Sequence, residues 1–178
     1  EHPEGEPDVD LHLQGGTGEF QHIMTSLKLE EILKDEPKYR ITQVYKLLYS
    51  DFIENWQEAT ILSKNLRNKL GRDFPLEIKA KLFHSKDQKT IKALVYLEDG
   101  LATEAVLMIH PKKRNSICVS SQVGCPLGCK FCATGKMGFK RNLSSDEIIS
   151  QVLLFARLLK RENEKITNLV FMGMGEPF

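Results

Sequence analysis

The sequence predicts an α+β region, made of a helical module and an antiparallel β meander, followed by the start of an α/β core. Three observations predict this class. Apolar residues recur at helical spacing up to about residue 72, they alternate with period two over residues 76–110, and a strand, a helix and a strand follow. At 178 residues the chain has about the length of one domain.

Residues 1–23 differ in composition from the rest of the chain. They hold six of the 24 acidic residues and none of the 25 Lys and Arg residues, and they are rich in Gly and Pro. Because Met24 directly precedes the first helical pattern, we expect a disordered or non-native leader there. The remaining chain has 25 basic against 18 acidic residues, a balance compatible with a polyanionic partner such as RNA.

Residues 24–74 have the pattern of a helical accessory domain. Apolar spacing predicts one helix near residues 27–33 and a second near residues 41–52. Ser63 is the predicted N-cap of a third helix, and Gly71 is its predicted C-terminal stop.

Residues 75–112 predict an antiparallel β meander. Its strands should cover residues 76–82, 91–97 and 101–109, with Asp99-Gly100 as the turn before the third. Glu104 is the only acidic residue of the third strand. Alternation places it on the same strand face as Val106 and Met108, so it is a candidate functional residue.

Residues 113–178 predict a βαβ unit. A strand near residues 116–121 is followed by a helix from a capping box at Ser144 and Glu147 to about Arg161, and by a strand near residues 166–172. Such strands are parallel and joined by a right-handed crossover. Because ligands bind at the carboxyl ends of such strands, the loops that follow the two strands should face one pocket.

All four cysteines lie within fifteen residues, and Cys125, Cys129 and Cys132 have the spacing C-x3-C-x2-C. We call residues 125–132 the three-cysteine loop. Thiolates hold iron–sulfur clusters, and three of them leave one iron of a cubane cluster open to another ligand. A structural zinc site usually takes four ligands, and Cys118 is the only nearby candidate for the fourth. The cysteines favour cluster binding, and a zinc site, a disulfide pair and buried inert thiols remain as alternatives.

These motifs resemble those of the radical S-adenosylmethionine (SAM) enzymes. More narrowly, they are similar to the bacterial dual-specificity methyltransferases that modify C2 of adenosine in 23S rRNA and tRNA. The similarity runs from about Met24 to Phe178. It is carried by Tyr39-Arg40, Leu62-Ser63-Lys64-Asn65-Leu66-Arg67, Cys118-Val119-Ser120-Ser121-Gln122, the three-cysteine loop, Gly138-Phe139-Lys140-Arg141-Asn142-Leu143 and Met172-Gly173-Met174-Gly175-Glu176-Pro177.

The resemblance implies a [4Fe–4S] cluster and SAM as cofactors. It assigns the cluster to Cys125, Cys129 and Cys132. It places SAM near the three residues Phe131, Gly175 and Glu176. The fold it implies is a partial (βα)6 barrel, which this chain would leave truncated after the second strand.

The resemblance also assigns two catalytic residues. Glu104 would do acid–base work, and Cys118 would help to resolve a covalent enzyme–RNA adduct. In the family, one SAM methylates a cysteine near the C-terminus and a second generates the radical that abstracts hydrogen from that methyl group. No such cysteine occurs in this chain, so we expect an N-terminal fragment that does not turn over by itself.

Partners and location follow from the same resemblance. We expect 23S rRNA and tRNA as partners, an electron donor such as a flavodoxin, a monomer and a cytoplasmic location. No apolar run approaches the ~20 residues of a membrane span, so no membrane partner is expected. A C8-directed relative of the same family, and a non-catalytic iron–sulfur or zinc fragment that binds RNA, remain as alternatives.

Overall fold

The structure is a computed structural model that describes residues 26–111 and 114–177. The prediction of a leader over residues 1–23 lies outside the described residues. The helices are α1 (Ser26–Ile32), α2 (Lys38–Tyr49), α3 (Lys64–Asp73), α4 (Ala133–Lys136) and α5 (Ser145–Arg161), with a 3-10 helix at Trp56–Glu58. The strands are β1 (Ala80–His84), β2 (Thr90–Tyr96), β3 (Ala102–His110), β4 (Arg114–Cys118), β5 (Gln122–Gly124), β6 (Phe139–Asn142) and β7 (Asn168–Val170).

Helices α1 to α3 form the predicted helical module. The Ser63 side chain accepts a hydrogen bond from the Leu66 amide (3.3 Å), so this residue is the N-cap of α3, as predicted. The predicted stop at Gly71 is wrong, because α3 continues to Asp73. The Phe74 amide donates to the Leu70 carbonyl (2.8 Å). The helical hydrogen bonds therefore continue past Gly71.

Five strands form one mixed sheet in the order β1-β2-β3-β4-β7. The pairs from β1 to β4 are antiparallel, which confirms the predicted meander. Strand β7 lies parallel to β4, with Cys118 opposite Val170, because α5 returns the chain to the same end of the sheet. The predicted strand–helix–strand unit is therefore present, and it extends the meander rather than forming a separate sheet.

The two faces of the sheet differ in burial. Along β3, Thr103, Ala105 and Leu107 are buried, whereas Glu104 and Val106 on the opposite face are only partly buried. The buried face belongs to one hydrophobic core shared with the helical module and α5. We call the opposite face, on which Glu104 and Cys118 lie, the open face.

Helix α5 begins at the predicted capping box. The Ser144 hydroxyl accepts from the Glu147 amide (3.2 Å), and the Glu147 carboxylate accepts from the Ser144 amide (2.8 Å). Its apolar side, with Leu153, Phe155 and Leu159, is buried in the shared core. The helix thereby covers the sheet on the face opposite to Glu104.

A two-stranded hairpin of β5 and β6 was not predicted from the sequence. It encloses the three-cysteine loop and α4, and the register shifts between Val123 and Gly124. Gly124 has a φ of +78°, and a Cβ at this position would lie 1.8 Å from the Gly138 carbonyl oxygen. Glycine is thus required where the two ends of the loop meet.

The strand bounds differ from the predictions at both ends of the sheet. The first strand begins at Ala80 and not at residue 76. The Leu76 carbonyl accepts a hydrogen bond from the buried Arg157 side chain of α5 (2.7 Å) in place of a bond from a neighbouring strand. The last strand is shorter than predicted. The division into domains at residues 74 and 112 remains a prediction. Within the described residues, no helix is long and apolar enough to cross a membrane.

Candidate active site

The three-cysteine loop is closed by backbone contacts. The Cys125 amide donates to the Gly138 carbonyl (3.2 Å), and the Cys132 amide donates to the Cys129 carbonyl (3.1 Å). A Cβ on Gly135 would lie 2.8 Å from the Cys129 nitrogen, so α4 packs directly against the loop. These contacts fix the backbone at all three predicted cluster ligands.

The cysteine thiols are free and partly buried, and two of them differ in acidity. Hydrogen bonds from the Gly135 amide, and then from the Thr134 amide, lower the pKa of Cys132 and favour its thiolate. Burial raises the pKa of Cys118, which a hydrogen bond from the Met172 amide only partly offsets. Cys132 is therefore the more acidic of these two thiols, whereas Cys118 stays a thiol at neutral pH.

The loop does not gather its thiols into a metal site. Within residues 26–111 and 114–177, no three His, Cys, Asp or Glu side chains are grouped so that they could hold a metal ion. The predicted ligands Cys125, Cys129 and Cys132 thus lie on one closed loop but not in a ligand arrangement. Their chemistry fits an iron–sulfur cluster, since all three are free thiols on one short loop.

The glycine-rich segment (residues 173–177) lies against the chain that leads into the three-cysteine loop. The Gly173 amide donates to the Val119 carbonyl (3.1 Å), and the Ser121 amide donates to the Met174 carbonyl (2.9 Å). The parallel pairing of β4 with β7 therefore continues beyond both strands. The glycine-rich segment thus adjoins residues 119–121, which lead into the three-cysteine loop, and the pocket shared with that loop stays a prediction.

Glycine is required at two positions of this segment. A Cβ on Gly173 would lie 2.5 Å from the Ser120 hydroxyl oxygen and 2.8 Å from the Val119 carbonyl oxygen. Gly175 has a φ of +101°, and a Cβ there would lie 2.6 Å from the Gln122 Cβ. The glycines allow the segment to approach residues 119–122 more closely than any side chain would permit.

Glu176 is held in place by a hydrogen bond of its backbone amide and not by its side chain. Its amide donates to the Gln122 side-chain oxygen (3.0 Å). Among the described residues, no side chain bonds the Glu176 carboxylate, which is half-buried. A free carboxylate beside close-packed glycines can receive an ammonium group, so the residues present fit the amino-acid part of SAM.

Glu104 and Cys118 lie on the open face, in neighbouring strands. Val106 pairs with Cys118, and Glu104 is two residues from Val106, so the two are diagonal neighbours at about 7–8 Å. The Glu104 carboxylate accepts from the Lys92 ammonium at 3.1 Å, and both side chains are half-exposed. The two predicted catalytic residues are thus brought to one face.

Phe131 differs from the other predicted site residues, because its side chain is almost fully exposed. Its side chain is 93% exposed at the tip of the three-cysteine loop. The neighbouring apolar side chains of Leu127 and Met137 are also exposed. The loop and the end of α4 thus carry three exposed apolar side chains.

Four polar residues that connect these parts were missed in the sequence. The Ser120 hydroxyl donates to the Glu104 carbonyl (2.5 Å) and accepts from the Met174 amide (2.7 Å). The Gln151 side chain bonds the Ser120 amide (2.8 Å) and carbonyl (3.1 Å). Gln122 and Asn142 are bonded to each other (2.9 Å). Ser120, Gln122 and Asn142 stand in the motifs that carry the resemblance, but no local pattern singles out any of the four, because their partners are distant in sequence.

The chain is similar to curated bacterial proteins named "Probable dual-specificity RNA methyltransferase RlmN". The relative from Dictyoglomus turgidum is 49% identical over 142 residues, which are 80% of this chain and 40% of that protein. The relative from Halalkalibacterium halodurans is 42% identical over 168 residues, which are 93% of this chain and 46% of that protein. The chain thus spans less than half the length of these relatives.

The fold is similar to a solved structure as well. A radical SAM methyltransferase from Sphaerobacter thermophilus matches with a TM-score of 0.78 and 41% identity, over 87% of this chain and 46% of that one. No family model matches the chain. Sequence and fold therefore point to the same group of enzymes.

Proposed function

Because the chain belongs to the family of RlmN-type radical SAM RNA methyltransferases, we propose that the complete protein methylates C2 of adenosine in 23S rRNA and tRNA. One observation carries the proposal. The glycine-rich segment is bonded to the residues that lead into the three-cysteine loop, through the Met174 carbonyl and the Glu176 amide. A site for SAM and a site for a cluster would then adjoin.

In this proposal Cys125, Cys129 and Cys132 hold a [4Fe–4S] cluster, and SAM binds at Gly175 and Glu176 with Phe131 nearby. A cluster held by these cysteines would supply an electron to bound SAM. The lowered pKa of Cys132 favours the thiolate that a cluster ligand must be. The free carboxylate of Glu176 would receive the ammonium group of SAM.

Glu104 and Cys118 act on the RNA in this proposal. Burial raises the pKa of Cys118, so its thiol needs a base before it can act as a thiolate. Glu104, a diagonal neighbour on the open face, would do acid–base work, and the Lys92 ammonium at 3.1 Å would hold its carboxylate in place. The methyl-carrying cysteine would be supplied by another part of the complete protein.

RNA partners, an electron donor such as a flavodoxin, a monomeric state and a cytoplasmic location belong to the same proposal. The excess of 25 basic over 18 acidic residues after residue 23 supports a polyanionic partner. The name of the curated relatives favours this function over a C8-directed one.

The test is the iron and sulfide content of the complete protein after anaerobic reconstitution. We expect about four irons per chain, as a cubane cluster requires. Cys125→Ala, Cys129→Ala and Cys132→Ala should each lose the cluster, whereas Cys118→Ala should keep it. Formation of 2-methyladenosine in RNA is then assayed. One zinc per chain without sulfide would refute the mechanism and favour a zinc module that binds RNA.

A further inference from the structure

Gln122 is a buried polar residue, and both the oxygen and the nitrogen of its side-chain amide are hydrogen bonded. It is 9% exposed. Its oxygen accepts from the Glu176 amide (3.0 Å), and its nitrogen donates to the Asn142 side-chain oxygen (2.9 Å). One side chain therefore joins the glycine-rich segment to strand β6.

The same residue also sets the path of the two residues before Glu176. The backbone amide of Gln122 donates to the Met174 carbonyl at 3.2 Å. Gly175 packs on the aliphatic part of the side chain so closely that an added Cβ would lie 2.6 Å from Cβ and 2.7 Å from Cγ of Gln122. Three consecutive residues, 174–176, are thus positioned by one glutamine.

The partner at the other end belongs to the hairpin that closes the three-cysteine loop. Asn142 pairs with Gln122 in the ladder between β5 and β6, and the loop is the connection between these strands. A displacement of the glycine-rich segment would therefore be transmitted to the hairpin through this amide. Burying a polar side chain without a hydrogen bond destabilises the fold, whereas each amide atom of Gln122 has a partner.

We propose that Gln122 is a positioning residue for SAM. It fixes the backbone at Gly175 and Glu176 relative to the β5–β6 hairpin that closes the three-cysteine loop. This inference rests on the proposed function. It adds a residue that touches neither the cluster nor SAM but determines the affinity for SAM.

The experiment compares variants of the complete, anaerobically reconstituted protein by equilibrium dialysis with SAM. Gln122→Met keeps the length of the side chain and removes both hydrogen bonds. We expect its dissociation constant for SAM to rise about tenfold, because the hydrogen bond that holds the Glu176 amide is lost. Gln122→Glu keeps an oxygen for the Glu176 amide but loses the donor to Asn142, so it should bind SAM several-fold more weakly than the wild type and more tightly than Gln122→Met.

Two further variants separate positioning from folding. Asn142→Ala changes an exposed residue and removes only the support of the Gln122 nitrogen, so SAM should bind several-fold more weakly without loss of iron. Asn115→Leu removes a different buried amide, which bonds the Lys165 carbonyl (3.1 Å) away from the glycine-rich segment. It should lower the midpoint of thermal unfolding and leave the affinity for SAM unchanged.

The outcomes distinguish this inference from the proposed function. If the wild type bound SAM and Gln122→Met and Asn142→Ala bound it equally tightly, the inference alone would be refuted. An equal loss of affinity in Asn115→Leu would also refute it. If the wild type held no iron and bound no SAM, the proposed function and the inference would both be wrong.

Discussion

At the scale of single residues, the site depends on buried polar side chains whose hydrogen bonds are complete. Ser120 is 0% exposed, and its hydroxyl links β3 to the glycine-rich segment. Another serine of the same burial, Ser150 at 1% exposure, has a hydroxyl oxygen without a hydrogen-bond partner among the described residues. The two form a natural pair for measuring what the contacts contribute.

We expect Ser120→Ala to lower the free energy of unfolding by about 1–3 kcal/mol, because it leaves the buried Met174 amide without its acceptor. Ser150→Ala should change it by less than about 0.5 kcal/mol, since no bond is lost. Urea unfolding followed by circular dichroism measures both. Equal effects of the two substitutions would show that the Ser120 bonds do not stabilise the fold.

At the scale of elements, the start of α5 is fixed by charge. The Arg141 guanidinium makes two bonds of 2.8 Å to the Glu147 carboxylate and one of 2.6 Å to Asp99 in the turn before β3. Bonding to Arg141 lowers the pKa of Asp99. Burial alone would raise the pKa of Glu147, but bonding to Arg141 and Ser144 lowers it. Arg141 thus links β6 to the turn between β2 and β3 and to the start of α5.

Arg141→Met should lower the free energy of unfolding by about 1–2 kcal/mol at pH 7. Both partner carboxyl groups have lowered pKa values in the folded state, so their contribution is present above their ordinary values of 3.8 and 4.5 and is lost as the pH falls below them. The difference between variant and wild type should therefore shrink at pH 3.

Urea unfolding at pH 7 and pH 3 measures this difference. Arg161→Met is the matched control, since it removes an arginine from the ion pair with Glu54, in which both side chains are more than 40% exposed. It should change stability by less than about 0.5 kcal/mol at either pH. A loss in Arg141→Met that did not depend on pH would contradict the assignment of the lowered pKa values to this pair.

The same scale shows what the sequence could predict. The capping box of α5 and the meander are local patterns, and both were predicted correctly. The hairpin of β5 and β6 was missed because its strands have three and four residues and contain few alternating apolar side chains. Gln122 was missed as a site residue for a related reason. Its partners Asn142 and Glu176 are 20 and 54 positions away along the chain.

At the scale of the whole molecule, one hydrophobic core joins the helical module to the sheet. Buried residues of the module, such as Leu70, belong to the same cluster as Leu107 of β3 and Phe155 of α5. Trp56, the only tryptophan of the chain, is buried within this cluster and donates its indole N–H to the Phe74 carbonyl at 2.6 Å. Tryptophan fluorescence therefore reports on the module.

We expect tryptophan fluorescence and far-ultraviolet circular dichroism to give the same unfolding midpoint in urea, because a shared core unfolds cooperatively. Leu70→Ala in the module and Leu107→Ala in the sheet should each lower the stability by about 2–5 kcal/mol and should shift both signals together. A fluorescence transition at lower urea than the dichroism transition would mean that the helical module unfolds independently.

The parallel pairing of β4 with β7 has a consequence for the order of events during synthesis. Ser116 pairs with Asn168, so about 50 residues must be added after β4 before its partner exists. At the usual rate of translation this takes about 3–10 seconds. The helical module and the antiparallel meander can form in that interval, whereas Ser120 and Gln122 still lack Met174 and Glu176. The part of the site proposed to bind SAM is therefore completed after the cysteines have left the ribosome.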